Sequence, residues 1–177
     1  MNDLLDKAID ATLANDRTYA MRAACDCGTC VVEAKQAPKV RFNCHCTICQ
    51  AFNGDAYADM MIVPASRAVV KNEDWIYYKK YKRFRFPPPN LSRGRCRKCG
   101  KPFIETWGFG RNHVLLFVRA ARFERPELLP ALEAHMFYEH RVRDIDDGNL
   151  KHEGYFASEW AMATMIVHAM SSGPDRL

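Results

Sequence analysis

The segment Cys44-His45-Cys46-Thr47-Ile48-Cys49 places three thiols within six residues. This three-cysteine segment can bring all of its sulfur atoms to one metal ion without help from the rest of the chain. Zinc takes sulfur ligands in tetrahedral geometry, so the segment supplies three corners and leaves one open. The spacing therefore predicts a metal centre whose fourth position is either exchangeable or closed by another protein ligand.

Two further sulfur pairs lie far apart in the chain, Cys25 with Cys27 and Cys96 with Cys99. Four cysteines in two such pairs are typical of a closed, structural zinc site. A site of this kind contributes up to roughly 10 kcal/mol or more directly to folding. The spacing favours this pairing as a second metal centre.

The remaining cysteine, Cys30, affects how the three-cysteine segment is interpreted. It either supplies the fourth ligand of that segment or is buried as a strand residue, and its position before Val31 and Val32 favours burial. A third arrangement joins the last two thiols of the segment to the second sulfur pair as a zinc ribbon. That arrangement leaves the first thiol without a role, so it is the weakest of the three.

Length and composition predict one cytosolic domain. The 177 residues are enough to bury a core, and residues 1–20 lack the basic start and apolar run of a secretory signal. In the reducing cytosol, closely spaced cysteines among the eight present are metal ligands or catalytic groups rather than disulfides. No apolar run has the length that would span a membrane, so no membrane partner is expected.

Hydrophobic periodicity predicts a mainly β fold of short strands with a helix at each end. In the helix predicted at 1–16, Leu5, Ile9 and Leu13 share one face. The helix predicted at 157–171 is apolar on more than one side, which suggests burial between subunits of a homo-oligomer. The predicted strands are 18–24, 31–35, 57–63, 68–71, 75–86, 103–107, 114–120 and 135–140.

A basic segment offers a second functional hypothesis. From Lys79 to Lys98 there are nine Lys or Arg residues and no Asp or Glu, and aromatic residues alternate with the first of these cations. This mixture is typical of a module that binds nucleic acid or an acidic partner, here through residues 77–98. Alternation along a strand would instead place the aromatic rings in the core and the cations in water.

The three sulfur motifs, in this order, resemble the glutathione-dependent formaldehyde-activating enzyme family, which also includes centromere protein V. The stretch from His135 to Val142 and on through Asp147-Gly148 is similar to the closing segment of that family. The resemblance covers about residues 24–155 and implies the β-tent fold, in which short antiparallel sheets are held together by zinc. It implies two zinc ions per chain, a structural one on Cys25, Cys27, Cys96 and Cys99 and a catalytic one on Cys44, Cys46 and Cys49.

The resemblance also implies an activity. Members that share it add the thiol of glutathione to formaldehyde, giving an S-hydroxymethyl adduct, or release the aldehyde in the reverse direction, which is carbon–sulfur lyase chemistry. The chain departs from the usual family pattern at Gln50, where a basic residue is common, and at Arg95, where an aromatic residue is common. These departures concern the substrate rather than the fold. Use of the cysteines as a redox sensor is a further hypothesis.

Several polar side chains are candidates for supporting roles. His45 either shuttles a proton and supports a ligand sulfur, or faces solvent. Arg93, Arg95 and Lys98 either receive the carboxylates of a glutathione-like thiol or form a solvated face. The spacing of the remaining polar groups indicates structural roles only, with His113, His152 and His168 outside any metal site and with Asp144, Asp146 and Asp147 in ion pairs and a turn beside Arg141 and Arg143.

Overall fold

The computed structural model describes residues 20–80, 91–109 and 112–171. Within these ranges the chain forms two β-sheets and two α-helices, α1 (Thr47–Asn53) and α2 (Tyr155–Ser171). The arrangement is the predicted mainly β, β-tent architecture. The strands are β1 (Met21–Ala24), β2 (Val31–Ala34), β3 (Val40–Cys44), β4 (Ala58–Pro64), β5 (Ala68–Lys71), β6 (Ile76–Lys80), β7 (Ser92–Cys96), β8 (Pro102–Phe109), β9 (Asn112–Arg119), β10 (Ala134–Met136) and β11 (Leu150–His152).

The small sheet has the order β1-β2-β5, and the large one the order β11-β10-β3-β4-β9-β8-β7-β6. All pairings are antiparallel except those of β10, which runs parallel to both β3 and β11. Cys44 ends β3 and lies opposite Ala58 on one side and Met136 on the other. The three-cysteine segment therefore starts at the end of a central strand.

Two hydrophobic cores underlie the two groups of cysteines. One core lies between the small sheet and the β7–β9 part of the large sheet, and it includes Cys25, Cys30 and Cys96. The other lies beneath α2 and includes Cys44 and Cys49. Each group of thiols is thus attached to its own packed core.

The strand predicted at 135–140 is wrong in its second half. The strand ends at Met136, because Phe137 has a φ of 54° in the left-handed region and Tyr138–His140 form a 3-10 turn. A non-glycine residue in that region interrupts a β-ladder. This reversal directs His135 and Tyr138 towards the same site.

The three-cysteine segment is a strand end and a helix start, where the sequence indicated only a turn. Cys46 is the N-cap of α1, and its sulfur accepts a hydrogen bond from the backbone N–H of Cys49. Strands β3, β7 and β11 were not predicted, and neither β7 nor β11 has an alternating apolar pattern. The sequences of β7 and β11 are polar, yet β7 pairs with both β6 and β8, and β11 forms the edge beside β10.

Other predictions differ at their boundaries or lie outside the described residues. The strand predicted from residue 75 begins at Ile76, since Trp75 ends a 3-10 turn, and its part from 81 to 86 lies outside the described residues. The helix predicted at 1–16 also lies outside them, and α2 starts two residues earlier than predicted. No helix in the described part of the chain is long and apolar enough to cross a membrane.

Candidate metal centres

Two similar turns present the four cysteines of the first cluster. Cys25 and Cys27 lie in the loop between β1 and β2, while Cys96 ends β7 and Cys99 lies in the turn that leads to β8. Both turns close on a left-handed glycine, Gly28 or Gly100, whose N–H donates to the carbonyl of the first cysteine at 2.8 Å. Glycine adopts this conformation without strain, so each chain reversal can aim two sulfurs the same way.

The first cluster fits a tetrahedral metal. The Sγ atoms of Cys25, Cys27, Cys96 and Cys99 all lie within 4.8 Å of one another. Cys27 Sγ is 3.6 Å from Cys25 Sγ and 3.8 Å from Cys96 Sγ. Four sulfurs at zinc–sulfur bond length around one ion are about 3.8 Å apart. The cluster could hold a metal ion of the size and preference of zinc.

Cys30 belongs to neither cluster. It is fully buried in the first core, its Sγ lies 3.7 Å from the carbonyl oxygen of Trp75, and burial raises the pKa of its thiol. Its backbone N–H donates to Cys25 Sγ at 3.2 Å, which orients a neighbouring cysteine. The zinc-ribbon arrangement is wrong, since Cys96 and Cys99 lie with the first sulfur pair.

The second cluster is the three-cysteine segment itself. The Sγ atoms of Cys44, Cys46 and Cys49 lie within 4.8 Å of one another, with Cys44 and Cys49 buried and Cys46 half-buried. Among the described residues no fourth Cys, His, Asp or Glu shares this cluster. It could hold a metal ion with three protein ligands, an arrangement typical of sites that keep one position for a substrate.

A buried ion pair lies beside the second cluster. Arg93 Nε is 3.0 Å from Glu105 Oε2, and Arg93 Nη2 is 3.7 Å from Cys49 Sγ. Both side chains are less than a tenth exposed. Burial raises the pKa of Glu105 to about 7, although the guanidinium of Arg93 opposes the shift. Glu105 thereby holds the guanidinium of Arg93 beside the sulfur atom of Cys49.

A chain of three hydrogen-bonded side chains reaches His45. Its Nε2 is 2.9 Å from His135 Nδ1, and His135 Nε2 is 2.8 Å from Asp147 Oδ2. Both imidazoles are buried, at 1% and 0% exposure. Hydrogen bonds from Asn149 and His135 lower the pKa of Asp147, so its carboxylate is ionised at neutral pH.

The carboxylate determines the tautomers along this chain. An ionised Asp147 only accepts, so His135 Nε2 donates to it and His135 Nδ1 is an acceptor. His45 Nε2 must then donate, which leaves the Nδ1 of the same ring as a lone pair. That atom is buried and has no hydrogen-bond partner among the described residues. His45 therefore presents a hydrogen-bond acceptor in a protected position rather than facing solvent.

Aromatic rings and an amide hold His45 in place. Its ring packs against Tyr57 and Tyr138, with centroids 5.2 and 5.1 Å away. Gln50 donates from its amide to the carbonyl oxygens of His45 and His140, at 2.6 and 2.7 Å. Burial, with the neighbouring His135, lowers the pKa of His45 to about 4 and keeps the ring neutral.

The three cations predicted to receive a substrate anion have different environments. Arg93 is buried in its ion pair. Arg95 donates to the carbonyl oxygens of Phe52 in α1 and Gly100 in the second sulfur turn, at 2.6 and 3.2 Å. Lys98 is exposed. Nucleic-acid binding through residues 77–98 stays a prediction, because residues 81–90 lie outside the described part of the chain.

The sequence analysis did not identify Glu105 or His135 as site residues, and it assigned Asp147 to ion pairs and a turn. Glu105 is a single acidic residue inside an apolar strand, which is a signal for a buried partner. His135 and Asp147 are twelve residues apart and carry no metal-ligand spacing, so only the fold brings them together.

Comparison with known proteins shows which family this chain belongs to. The family model for the glutathione-dependent formaldehyde-activating enzyme matches residues 20–140. The chain belongs to this family. The matched region includes both cysteine clusters and His135, while Asp147 and α2 lie beyond it.

Two other comparisons accompany the family match. A crystal structure of a Rhodobacter sphaeroides protein is similar at 18% identity, covering 62% of this chain and 98% of that one with a TM-score of 0.44. The search of curated proteins finds no match.

Proposed function

We propose that this member of the glutathione-dependent formaldehyde-activating enzyme family is a zinc-dependent carbon–sulfur lyase. It would join a thiol such as glutathione to a small aldehyde such as formaldehyde, or separate the two. The observation that carries the proposal is the second cluster, where three sulfurs within 4.8 Å lack a fourth protein ligand among the described residues. A purely structural site would be closed by four.

The chemistry is an addition to a carbonyl group. The thiol sulfur bonds to the carbonyl carbon, the carbon–oxygen π bond breaks, and the thiol proton ends on the oxygen, so the product is an S-hydroxymethyl thioether. Zinc, when bound, would supply a position at which the substrate thiol is held as its reactive thiolate. The first cluster would hold a second zinc with a structural role.

The chain contributes positioning and charge. Arg93 offsets the negative charge of Cys49 and its neighbours, while Glu105 keeps the guanidinium in place. The free Nδ1 of His45 is suited to accept a hydrogen bond from the thiol or from the hydroxyl of the adduct. Holding the reactants in such a setting lowers the barrier because orientation is arranged before the reaction.

We assign the substrate carboxylates to Arg95 and Lys98 rather than to Arg93. Arg93 is occupied by Glu105, whereas Arg95 contacts α1 and is only partly buried. We place the reaction in the reducing cytosol, where thiol ligands and a thiol substrate both persist.

The test combines metal analysis with the exchange reaction. Zinc per chain and the exchange rate of glutathione with formaldehyde, followed by NMR, are measured for the wild type, Cys46→Ala and Cys30→Ala. We expect two zinc equivalents for the wild type and Cys30→Ala, and one for a folded, inactive Cys46→Ala. Cys30→Ala is the matched control, since Cys30 lies in neither cluster. Exchange no faster with the two-zinc protein than without it would refute the lyase activity.

A further inference from the structure

Ser158 lies in the first turn of α2, and its side chain is fully buried. Its Oγ accepts a hydrogen bond from the backbone N–H of Phe137 at 2.8 Å and donates one to the carbonyl oxygen of His152 at 3.2 Å. A hydroxyl group can accept and donate at the same time, so one side chain serves both backbone groups. Helix α2 is therefore joined at this point to two other parts of the chain.

The two backbone partners of Ser158 lie at neighbouring strand ends. Strand β10 ends at Met136, directly before Phe137, and β11 ends at His152. These two strands run parallel, and Met136 is paired with His152. Both ends of the segment 137–152 are thus held by the hydroxyl of Ser158.

The hydrogen bond to Phe137 stabilises an unusual backbone conformation. Phe137 has a φ of 54°, in the left-handed region that non-glycine residues rarely adopt. This reversal follows the last residue of β10, and an amide N–H that is shielded from water there needs a partner outside the β-ladder. Ser158 is that partner, so the reversal depends on its hydroxyl.

Residues on both sides of the reversal hold His45. The ring centroids of His135 and Tyr138 lie 5.2 and 5.1 Å from that of His45. The carbonyl oxygen of Met136 accepts a hydrogen bond from the backbone N–H of His45 at 2.9 Å. A shift of the backbone at Phe137 therefore moves groups that contact His45 on several sides.

We infer that Ser158 is a positioning residue for the reaction at the second cluster. It fixes the reversal at Phe137, which places His135, and His135 in turn orients the free Nδ1 of His45. The catalytic part of this inference rests on the proposed function. Ser158 lies beyond residues 20–140, which match the family model, so α2 adds a support that the family match does not include.

Packing of α2 as a whole is the competing explanation. The helix also contributes Ala161, Met165 and Ala169 to the second core. Loosening of that packing would disturb the same region without involving a hydrogen bond. A variant that weakens α2 but keeps the hydroxyl of Ser158 therefore distinguishes the two explanations.

The first measurement uses the zinc-loaded wild-type protein. Amide hydrogen exchange should show Phe137 protected roughly 100-fold or more, although this residue follows the end of its strand. Exchange as fast as that of an unstructured peptide would overturn the inference, because the hydrogen bond to Ser158 would then be open.

Ser158→Ala removes both hydrogen bonds. We expect the amide of Phe137 to exchange about tenfold faster or more, since it loses its acceptor. The nitrogen-15 resonances of the His135 ring should shift, because the imidazole is no longer held in one position. For the reaction of glutathione with formaldehyde, kcat should fall about fivefold and KM change by less than about twofold with both zinc ions retained, because a supporting group orients a side chain rather than binds substrate.

Two substitutions in α2 are the controls. Ala161→Gly weakens the buried face of the helix, so it should lower the melting temperature while leaving the His135 resonances unchanged. Thr164→Val removes an exposed hydroxyl that bonds within α2, to the carbonyl oxygen of Ala161 at 2.8 Å, and should change neither quantity.

The His135 resonances decide the inference whether or not the protein catalyses the exchange. Wild-type resonances in folded Ser158→Ala, or the same shift in Ala161→Gly, would overturn it. If the wild-type protein does not accelerate the exchange, the lyase activity is refuted, and the resonances still show whether Ser158 positions the imidazole.

Discussion

Asp147 is connected to His45 by hydrogen bonds through His135, so a change at Asp147 tests whether the orientation of the buried imidazole matters. Asp147→Asn presents an amide that can donate, which allows His135 and then His45 to change tautomer. We expect a loss of exchange activity of roughly tenfold or more with both zinc equivalents retained, as is typical when a supporting group is removed. Nitrogen-15 NMR of the histidines should show the tautomer change directly.

Asp144→Asn is the matched control for this prediction. Asp144 pairs with Arg141 at the surface and does not touch either histidine. Activity and tautomers should stay as in the wild type. An Asp147→Asn protein with unchanged tautomers and activity would contradict a positioning role.

The raised pKa of Glu105 predicts that the free energy of unfolding depends on pH. Its pKa is raised to about 7, above the 4.5 of an exposed glutamate, so between these values the native state binds the extra proton. The free energy of unfolding contributed by this group therefore falls as pH rises through that window, by at most about 1.4 kcal/mol per unit. The difference in unfolding free energy between wild type and Glu105→Gln should decrease from about pH 6 to pH 7.5.

The comparison uses denaturant unfolding with excess zinc, so that both proteins keep their metal at every pH. A difference that does not fall between pH 6 and pH 7.5 would contradict a raised pKa at Glu105.

At the scale of elements, β6 and β7 approach closely at Gly94. A Cβ added there would lie 2.6 Å from Ile76 Cγ2 and 2.9 Å from Tyr78 Cε1. Gly94→Ala should therefore separate the strands next to Cys96 and lower the free energy of unfolding by roughly 1–3 kcal/mol. Denaturant unfolding measures this loss.

Ser92→Ala is the control within the same strand. Ser92 is half-buried and faces the same side two residues away, so its substitution should cost well under 1 kcal/mol. Equal losses for the two variants would mean that the close approach at Gly94 is relieved without cost.

At the scale of the whole molecule, the first cluster joins parts of the chain that are far apart. Cys27 and Cys96 are 69 residues apart, and their cluster connects the small sheet to the edge of the large one. Cys27→Ser should remove one zinc and destabilise the protein by several kcal/mol, since metal binding there is coupled to folding. Circular dichroism during heating measures the effect.

Cys46→Ser, in the second cluster, is the variant to compare with Cys27→Ser in the same experiment. It should also remove one zinc, but with a much smaller change in the melting temperature, because all three thiols of the second cluster lie within one short segment. If both variants melted at the same temperature, the division into a structural and a functional site would be wrong.

Local spacing was enough to predict several features of the fold and of the candidate site. Strand β5 was predicted with its observed limits, and the grouping of Cys44, Cys46 and Cys49 follows from six residues of sequence. Each of the two outer sulfur pairs is followed directly by a glycine, and these glycines, Gly28 and Gly100, are the residues on which the two turns close. Such features depend on backbone geometry within a few residues.

Short motifs and their order were enough to establish the mainly β class, the cluster of three thiols within residues 44–49 and the family. Only the tertiary structure shows which pairs of cysteines combine, that Cys30 is buried beside the first cluster without joining it, and that His135 and Asp147 support His45. Strand pairing set those contacts over separations of 12 to 90 residues. Burial then gave them their charge states, since the cost of removing a group from water depends on every element around it.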